Sequence, residues 1–582
     1  KEKKIMSNNM TGKPSIDRPW MKYYPEVLQK MIQIPECTVK EYLKKYCPGE
    51  DVAAMEFYGS QIAWKTVFEQ AEAAARSLKA VGFKEGDEIP VFFSLVPEFF
   101  YLLLAAEQIG ASLLCRDNTL RENVEAVEKA GAKVIFVQDY LSQQELGRYL
   151  SDSYTEKAII LDACNSGNRD AMPDYVLKSL ESRYPTEKAH GSKTMTWDEF
   201  LALGESYTGE VDAPVDINRP LFRAYTSGST GPSKQVIHSA YTMLAVVSQM
   251  NFYAGVEEHR PTWMVACLPP ALVAVVVSMT LMPLASNKLL ILDPYVDPKD
   301  VDLELMRYRP NSWPLIPMFI ETVMRNGRIP DDYDLSHLTA AGAGSESYNN
   351  NQLKRAQQFV LDHNCNIRFT TGYGNSEAGS NVSLPMAPHP LGNGNVGVPL
   401  LYNIISVFEP GTQNELTYNE MGEICISGPG LMLGYDNPEA TAKTLQVHAD
   451  GRTWLHTGDI GYMNEDGVIY VQTRGKAPRH GGGDLATLPM ENIVADAEIE
   501  GIDDEFFVLV PDKTHAGCFL PYLFVVLKEG YTVKDIEDGV RGCLEDYMQP
   551  VDIIQLKERP FFHFKTNRIG LTQAILADNL SD

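Results

Sequence analysis

The chain has 582 residues, 44% of them hydrophobic, which is more than one hydrophobic core usually organises, so the sequence predicts at least two folding units. Its 51 basic and 77 acidic residues give a formal net charge of −26, which excludes a general nucleic-acid surface because such surfaces need clustered positive charge. The nine cysteines contain no CxxC pair, which argues against a zinc ribbon or a disulfide framework.

The N-terminal stretch is polar, and no apolar run approaches the length of a membrane span. We therefore expect a cytoplasmic protein without a membrane span. From about residue 66 to 137, helix-like segments such as "TVFEQAEAAARSLKAVGF" alternate with strand-like ones such as "EIPVFF" and "AKVIFV". This alternation is typical of parallel strands joined by crossover helices and predicts an α/β lobe.

Residues 163–214 are polar and are predicted to form a looped connector. The α/β alternation then resumes from "LFRAYT" to "KLLILD" and predicts a second lobe. Short strands from "NVGVPL" to "YVQT" predict a small β-rich lobe. The predicted fold class is thus α/β, with these three lobes in a large N-terminal domain over residues 1–474. A small mobile α+β domain is predicted over residues 475–582, after the Gly-rich stretch "RGKAPRHGGGD".

The stretch "YTSGSTGPSKQVIHS", residues 225–239, combines glycines and small hydroxyl residues with one lysine. It is not a Walker P-loop, because that motif requires GxxxxGK[ST]. Glycines allow backbone N–H groups to approach an anion, hydroxyls donate hydrogen bonds, and Lys234 supplies positive charge. Spacing alone leaves two interpretations open, a phosphate-binding loop and a flexible Ser/Gly linker.

Three further motifs accompany this loop: "GYGNSE", "HTGDIGYMNEDG" and "YVQTRGK". In this order, the four motifs resemble those of the adenylate-forming superfamily, which includes acyl-CoA synthetases, adenylation domains of peptide synthetases and luciferases. The resemblance runs from about residue 50 to the C-terminus. It implies ATP-dependent activation of a carboxylic acid to an acyl-adenylate, followed by transfer to a thiol, most simply that of CoA.

The resemblance also implies roles for individual residues. Lys234 and the loop would embrace the β- and γ-phosphates of ATP. Tyr373 would stack on adenine, and Glu377, aided by the Thr230 hydroxyl, would hold Mg²⁺, a hard cation that prefers oxygen ligands. The nucleotide-binding residues implied in this way are Thr226, Ser227, Gly228, Ser229, Thr230, Gly231, Lys234, Gly344, Ser345, Glu346, Tyr373, Gly374, Ser376, Asp459 and Arg474.

Asp459 would accept both ribose hydroxyls, which requires an ionised carboxylate, and Arg474 would reach the ribose and phosphate region. Lys476 would be the hinge about which the C-terminal domain rotates. Gly483 would let a pantetheine arm pass. Taken singly, an Asp in a turn or an exposed Arg is usually structural, so these assignments depend on the whole set.

Three departures from the family pattern stand out. Gln235 replaces the glycine after the loop lysine, and we expect backbone strain there if the position requires a positive φ. An ungapped alignment of "FFHFKTNRIG" places Arg568 where the family has its catalytic lysine; Lys565 substitutes only if the register shifts. The segment "RHGGGDLATLPMEN" lacks the usual lysine-glycine pair of the hinge motif.

The family's acid pocket borders the helix that starts near Ala271, which here reads "LPPALVAVVVSM" and lacks the aspartate that grips an α-ammonium. We therefore expect an acyl or aryl carboxylic acid as the substrate. The other interpretation is that Val275 to Val277 only pack the hydrophobic core and line no pocket. Two rival functions remain: a stand-alone adenylation domain that loads the pantetheine of a carrier protein, and a nucleotide-binding pseudoenzyme.

Overall fold

The computed structural model describes residues 10–116, 120–151, 155–226, 233–251, 260–314, 316–340, 342–475, 479–562 and 564–577. Within these ranges, no helix is long and apolar enough to cross a membrane. The predicted α/β class, with a large N-terminal part and a small C-terminal domain, is confirmed.

An eight-stranded sheet forms the first lobe. It is parallel from Pro220–Tyr225 outward to Thr194–Thr196, and two antiparallel strands extend its other side. In spatial order the strands are Gly434–Tyr435, Gln235–Ser239, Pro220–Tyr225, Ser112–Cys115, Glu88–Phe92, Val134–Gln138, Lys157–Leu161 and Thr194–Thr196. Its helices are Trp64–Ala80, Pro97–Ile109, Leu120–Ala130, Gln143–Tyr149, Asp174–Glu181 and Trp197–Glu205.

The looped connector predicted over residues 163–214 was wrong in part. The structure has helices Asp174–Glu181 and Trp197–Glu205 there, with the strand Thr194–Thr196 at the sheet edge. The second helix starts with a capping box, in which the Thr196 side chain and Glu199 exchange hydrogen bonds. Each helix buries only a few apolar residues, so its hydrophobic signal is diluted by polar neighbours.

A four-stranded sheet organises the second lobe, in the spatial order Thr262–Ala266, Leu289–Asp293, Ala53–Phe57 and Ser60–Ala63. One continuous helical segment of this lobe consists of Val273–Val276, the π-helical turn Val277–Leu281 and Met282–Ala285. The remaining helices here are Val39–Tyr46, Ala240–Asn251, Val301–Tyr308, Pro317–Asn326 and Asn350–Asp362. The two α/β lobes share one continuous hydrophobic core.

The third lobe is rich in short strands and has its own core, into which Trp20 from the N-terminal segment packs. Its five-stranded sheet contains Ile404–Phe408, Gly422–Ser427, Leu445–Val447, Thr453–Met463 and Ile469–Arg474. Smaller ladders contain Gly342–Ala343 with Thr370–Thr371, and Tyr373–Asn375 with Ser380–Leu384 and Val398–Pro399. Short helices are Pro14–Asp17, Glu26–Met31 and Pro438–Thr444.

The C-terminal domain has two apolar clusters of its own, one on each face of a three-stranded sheet. That sheet contains Ile502–Pro511, Phe519–Leu527 and Asp552–Leu556, and its helices are Thr487–Asp496, Val533–Cys543 and Arg568–Leu576. Two small hairpins pair Arg479–His480 with Gly483–Asp484 and Phe561–Phe562 with Lys565–Thr566. The separate clusters fit a separate domain, and the boundary at residue 474 stays a prediction.

Polar contacts dominate where this domain meets the large one. Arg355 pairs with Glu321 at 2.8 Å and lies 3.5 Å from Asp504, which in turn pairs with Arg559 at 2.7 Å. The Asn349 amide donates to the Glu505 carbonyl at 3.0 Å. These contacts hold the start of the strand Ile502–Pro511 against the large domain.

Candidate active site

The strands that flank the signature loop form an antiparallel hairpin. The Thr226 N–H donates to the Lys234 carbonyl at 2.9 Å, and the Thr226 hydroxyl oxygen accepts from the Lys234 N–H at 3.1 Å. The Ser233 hydroxyl donates to the Thr226 carbonyl at 2.6 Å. The two ends of the loop are thus pinned together. The other predicted loop residues, Ser227, Gly228, Ser229, Thr230 and Gly231, lie outside the described residues.

Gln235, where we expected backbone strain, lies in a regular strand opposite Tyr225. Its amide oxygen accepts from Arg223 at 3.2 Å, and its amide nitrogen donates to the Tyr225 hydroxyl at 3.3 Å. Extended backbone is open to any residue, so the positive φ on which the expected strain depended is not present at Gln235. The side chain instead stabilises the base of the loop.

Tyr435 bridges the loop lysine and the carboxylate of "GNSE". The Lys234 ammonium lies 4.9 Å from the centre of the Tyr435 ring, and the Tyr435 hydroxyl donates to Glu377 Oε1 at 2.7 Å. The Glu377 carbonyl also accepts from the Met432 N–H at 2.8 Å. Lys234, predicted to bind phosphate, and Glu377, predicted to bind the metal ion, are therefore brought to one place, although they come from different lobes.

His238 fixes the turn that carries Ser376 and Glu377. It is fully buried, and its Nε2 lies 2.7 Å from the Ser376 carbonyl, while its Nδ1 lies 3.1 Å from the Thr242 hydroxyl. Burial lowers the pKa of His238 to about 4, so the ring is neutral at pH 7 and donates from Nε2. A neutral histidine thus ties the strand after the loop to the "GNSE" turn.

A second acidic group lies beside Tyr373. The Tyr373 hydroxyl donates to Asp459 Oδ2 at 2.5 Å, and Arg474 Nε lies 3.8 Å from Asp459 Oδ1. Asp459 and Arg474 are opposite each other on paired antiparallel strands, which explains why the two motifs meet. Burial raises the pKa of Asp459, and the Arg474 charge and the Tyr373 hydrogen bond offset only part of that rise.

Backbone shape leaves space next to these side chains. A Cβ added at Gly374 would lie 1.9 Å from the Ser380 carbonyl oxygen, so only glycine fits this strand. At Gly344 a Cβ would meet no atom of the described residues within 4 Å, so the described part of the chain leaves open space there. Ser345 is exposed and has a φ of 76°. Glycine at position 374 is thus explained by packing, whereas Gly344 borders room for a ligand.

Arg568 is held by two carboxylates at the start of the last helix. Its guanidinium pairs with Glu346, lies 3.0 Å from Glu491 Oε1, and donates from Nε to the Phe507 carbonyl at 3.1 Å. Burial raises the pKa of Glu491. Glu346 also accepts from the N–H and hydroxyl of Thr566, at 2.9 and 3.0 Å. Glu346, predicted to line adenine, binds the C-terminal domain here.

Lys565 has the opposite surroundings. It lies in the last hairpin after Phe564, whose φ is 63° and whose ring packs edge-on against Phe319 at 6.2 Å. Burial lowers the pKa of Lys565, and so does the Arg474 charge, while Glu346, Asp459 and Glu377 act to raise it. Within the described part of the chain, its ammonium has no hydrogen bond and no ion pair. Lys565 is thus a cation that lies close to the charged groups of the site and is available to a ligand.

Lys476, the predicted hinge, lies outside the described residues. Gly483 follows in the small hairpin with Arg479–His480. A Cβ at Gly483 would lie 2.1 Å from the Tyr547 ring, so this glycine is covered by a tyrosine of its own domain. Passage of a pantetheine arm at Gly483 would require that ring to move, and both roles stay predictions.

The helix predicted to border the acid pocket is largely core. Val275, Val276 and Val277 are 0–1% exposed. The π-helical turn that follows places the Ser278 hydroxyl 2.6 Å from the hydroxyl of Ser380, just after the Glu377 turn. Ser380 is buried and has a φ of 126°, which is rare for a residue with a side chain. The helix is therefore tied to the carboxylate turn at this serine pair.

Sequence reasoning missed three residues of this site: Tyr435, His238 and Glu491. Tyr435 is in "GYDNPEAT", which precedes the third motif, and His238 is inside the quoted loop segment. Neither had a periodicity or motif that distinguishes it from a core residue. Glu491 is on a helix that reads as ordinary amphipathic sequence, so only the fold reveals its contact with Arg568.

Comparison with known proteins agrees with this arrangement. The family model for AMP-binding enzymes matches residues 45–436. The chain is 26% identical over 515 residues to a 4-coumarate–CoA ligase of Vanilla planifolia, covering 86% of this chain and 82% of that protein. It is 25% identical to the luciferin 4-monooxygenase of Luciola mingrelica, covering 86% and 87% of the two chains.

Among solved structures, ATP-bound MatB from Rhodopseudomonas palustris superposes with a TM-score of 0.75 at 19% identity. The match covers 93% of this chain and 100% of that one, which establishes the shared fold including the C-terminal domain. Together with the family match over more than half of the sequence, these findings confirm the predicted resemblance. The chain belongs to the family of AMP-binding enzymes.

Proposed function

We propose that this enzyme is an acid–thiol ligase, which activates a carboxylic acid with ATP to an acyl-adenylate, releases pyrophosphate and passes the acyl group to a thiol, that of CoA. One observation carries the proposal. Glu377, Asp459 and Arg474 converge on a single space, and the ammonium of Lys565, unpaired among the described residues, faces the same charges from the C-terminal domain.

Each of these groups has a role that follows from its chemistry. Asp459 presents two carboxylate oxygens to the ribose hydroxyls, with Arg474 and Tyr373 orienting it. Lys234, at the end of the loop, faces the triphosphate. Gly344 gives the base room to approach the backbone. The nucleotide is thereby held with its α-phosphate near the C-terminal hairpin.

The divalent ion that accompanies ATP fits the Glu377 carboxylate. Within the described residues, only one Glu377 oxygen has a hydrogen-bond donor, the Tyr435 hydroxyl, so the other remains available to a hard cation. Thr230, the second predicted ligand, lies outside the described residues. Bound Mg²⁺ supplies neutralisation of phosphate charge. Tyr435 and the His238-anchored turn keep the carboxylate pointed toward Lys234.

We assign the cation that steadies the reacting carboxylate and α-phosphate to Lys565. Its ammonium is buried among the site's charges and has no partner in the ranges that the structure describes, whereas Arg568 is already bound to Glu346 and Glu491. A preorganised charge of this kind stabilises the transition state because it needs no reorganisation when the negative charge develops. This assignment favours a three-residue change in register over the ungapped alignment that predicts Arg568.

An apolar acid with an acyl or aryl tail remains the favoured substrate. The lining helix has no acidic residue between positions 273 and 285, so an α-ammonium would be buried without a counter-charge. The relative named as a 4-coumarate–CoA ligase acts on an aryl acid and CoA by its name, which supports this choice of acid and of thiol.

The test is carboxylate-dependent exchange of labelled pyrophosphate into ATP over a panel of fatty, aryl and amino acids. We expect exchange with fatty or aryl acids and none with free amino acids. Product analysis with CoA, and separately with a phosphopantetheinylated carrier protein, then identifies the acceptor. Absence of exchange with every acid, despite ATP binding, would indicate a pseudoenzyme and contradict the proposal.

A further inference from the structure

A cluster of metal-ligand side chains lies in the β-rich lobe, outside the nucleotide site. Glu423 and Cys425 are on the strand Gly422–Ser427, and His456 is on the neighbouring strand Thr453–Met463. Cys425 is directly opposite His456, and Glu423, two residues earlier on the same strand, projects from the same face as Cys425. One ligand atom from each of these residues lies within 4.8 Å of the other two.

The distances match those of a coordination sphere. Cys425 Sγ lies 3.5 Å from His456 Nδ1, and Glu423 Oε2 lies 2.9 Å from the same nitrogen. Zinc bonds of about 2.3 Å to sulfur and about 2.0 Å to nitrogen, at a tetrahedral angle, place those two atoms about 3.5 Å apart. An ion would need the Glu423 oxygen to withdraw by only a few tenths of an ångström.

Outer partners that orient metal ligands are also present. His448 Nε2 lies 3.0 Å from His456 Nε2, so the ring nitrogen that faces away from the cluster has a partner. Glu423 Oε1 accepts from the Gly458 N–H at 3.0 Å, which leaves Oε2 to face the cluster. Histidine and carboxylate ligands in metal sites usually carry such second hydrogen bonds, which fix their orientation.

The ligand types select the ion. Cys425 is fully buried, while the side chains of His456 and Glu423 are 7% and 13% exposed and so give a narrow path from solvent. One thiolate, one imidazole and one carboxylate are a borderline-soft donor set, which suits Zn²⁺ and not the oxygen-only preference of Mg²⁺.

We propose that Glu423, Cys425 and His456 form a zinc site, with an exogenous ligand such as water in the fourth position. The Cys425 thiol loses its proton to solvent as the ion binds. Because Glu423 also holds the Gly458 amide, the ion stiffens the turn that immediately precedes Asp459. The ion takes no direct part in the acyl transfer, and its role is to hold this turn in place.

The test uses the full chain, stripped with a chelator and titrated with Co²⁺, which reports thiolate binding through its charge-transfer absorption. We expect saturation at one equivalent, displacement by Zn²⁺, and a rise in melting temperature on adding Zn²⁺. Cys425→Ser should abolish the absorption. The matched control is Cys365→Ser, because Cys365 is equally buried but faces the Leu338 carbonyl. The Cys365→Ser variant should keep the charge-transfer absorption.

His448→Gln separates orientation from ligation. It should retain the cobalt absorption but weaken binding by about 10- to 100-fold, as expected for loss of an outer partner. No charge-transfer absorption in the unmodified chain, or an absorption unchanged by Cys425→Ser, would overturn the proposal. The three side chains would then form only a hydrogen-bonded cluster that supports the Gly458 turn.

Discussion

Two neighbouring segments of the C-terminal domain each place a cation at the interface with the large domain, but the surroundings of the two cations differ. The start of the helix Arg568–Leu576 gives its arginine three acceptors, from Glu346, Glu491 and Phe507. The hairpin before it leaves the Lys565 ammonium without a partner in the described part of the chain.

The difference between these two segments shows that surroundings, not charge alone, decide which cation is available to a substrate. A guanidinium with a complete set of carboxylate partners anchors the domain, because leaving those carboxylates buried and unpaired costs free energy. A desolvated ammonium with no partner gains that stabilisation only when an anionic substrate arrives. Four predictions test this division of roles.

The largest effect is expected for Lys565→Met. Removing the cation that stabilises the developing charge should lower the rate of carboxylate-dependent pyrophosphate exchange by about 10²- to 10³-fold, with little change in ATP affinity. Initial-rate exchange kinetics measure this. Lys557→Met, in the same domain but in the exposed segment before the hairpin, is the control and should exchange at the unmodified rate. Equal rates for Lys565→Met and the unmodified enzyme would remove Lys565 from the mechanism.

Arg568→Met should act mainly on stability. It leaves Glu346 and Glu491 without their guanidinium partner, and we expect a loss of about 2–3 kcal/mol in the unfolding free energy of the C-terminal domain. Hydrogen exchange over residues 485–577 would measure it. The control is Arg541→Met, which removes an exposed pair with Glu537 and should cost less than about 0.5 kcal/mol. A similar cost for both variants would contradict the anchoring role.

Asp459→Asn should weaken nucleotide binding by a smaller amount. The amide keeps the shape but loses the charged acceptor for the ribose hydroxyls and for Arg474, so the KM for ATP should rise about 10- to 30-fold. The KM for the acid should not change. Asp450→Asn, a half-exposed position in the same lobe, serves as the comparison. An unchanged KM for ATP in Asp459→Asn would place the ribose elsewhere.

The smallest effect concerns pH. Lysine is charged below its pKa, and burial lowers the pKa of Lys565 from 10.5. The exchange rate should therefore fall on the alkaline side at a lower pH than an ordinary lysine would cause. In Lys565→Arg the alkaline fall should disappear, because arginine stays charged, even if the rate is lower. An identical pH profile in that variant would assign the alkaline limb to another group.

These contrasts also show what sequence could and could not predict. The alternation of residues 66–137 correctly predicted an α/β lobe because its helices Trp64–Ala80 and Pro97–Ile109 are long, and short apolar strands follow them. The structure brings the "GNSE", "TGD" and arginine motifs close together. Asp459 and Arg474 meet because they are opposite each other on two neighbouring antiparallel strands. Tyr435 and Glu491 contact residues that are distant in the sequence, Glu377 and Arg568. No local sequence pattern therefore identified them as site residues.

The tail was the hardest part because the sequence there admits two registers. A positive φ at Phe564 tightens the hairpin and brings Lys565 to the turn, while Asn567 caps the following helix through Gly570 and directs Arg568 toward Glu346 and Glu491. An ungapped sequence alignment reveals neither a phenylalanine with a positive φ nor an asparagine that caps a helix. The direction of each side chain needed the fold.

The central claim is that Lys565, and not Arg568, contacts the reacting group. A crystal structure with a nonhydrolysable acyl-adenylate analogue tests it most directly. We predict the Lys565 ammonium within hydrogen-bond distance of the analogue's linker, with Arg568 still bound to Glu346 and Glu491. A structure in which Arg568 has left those carboxylates for the linker, and Lys565 points to solvent, would contradict the account.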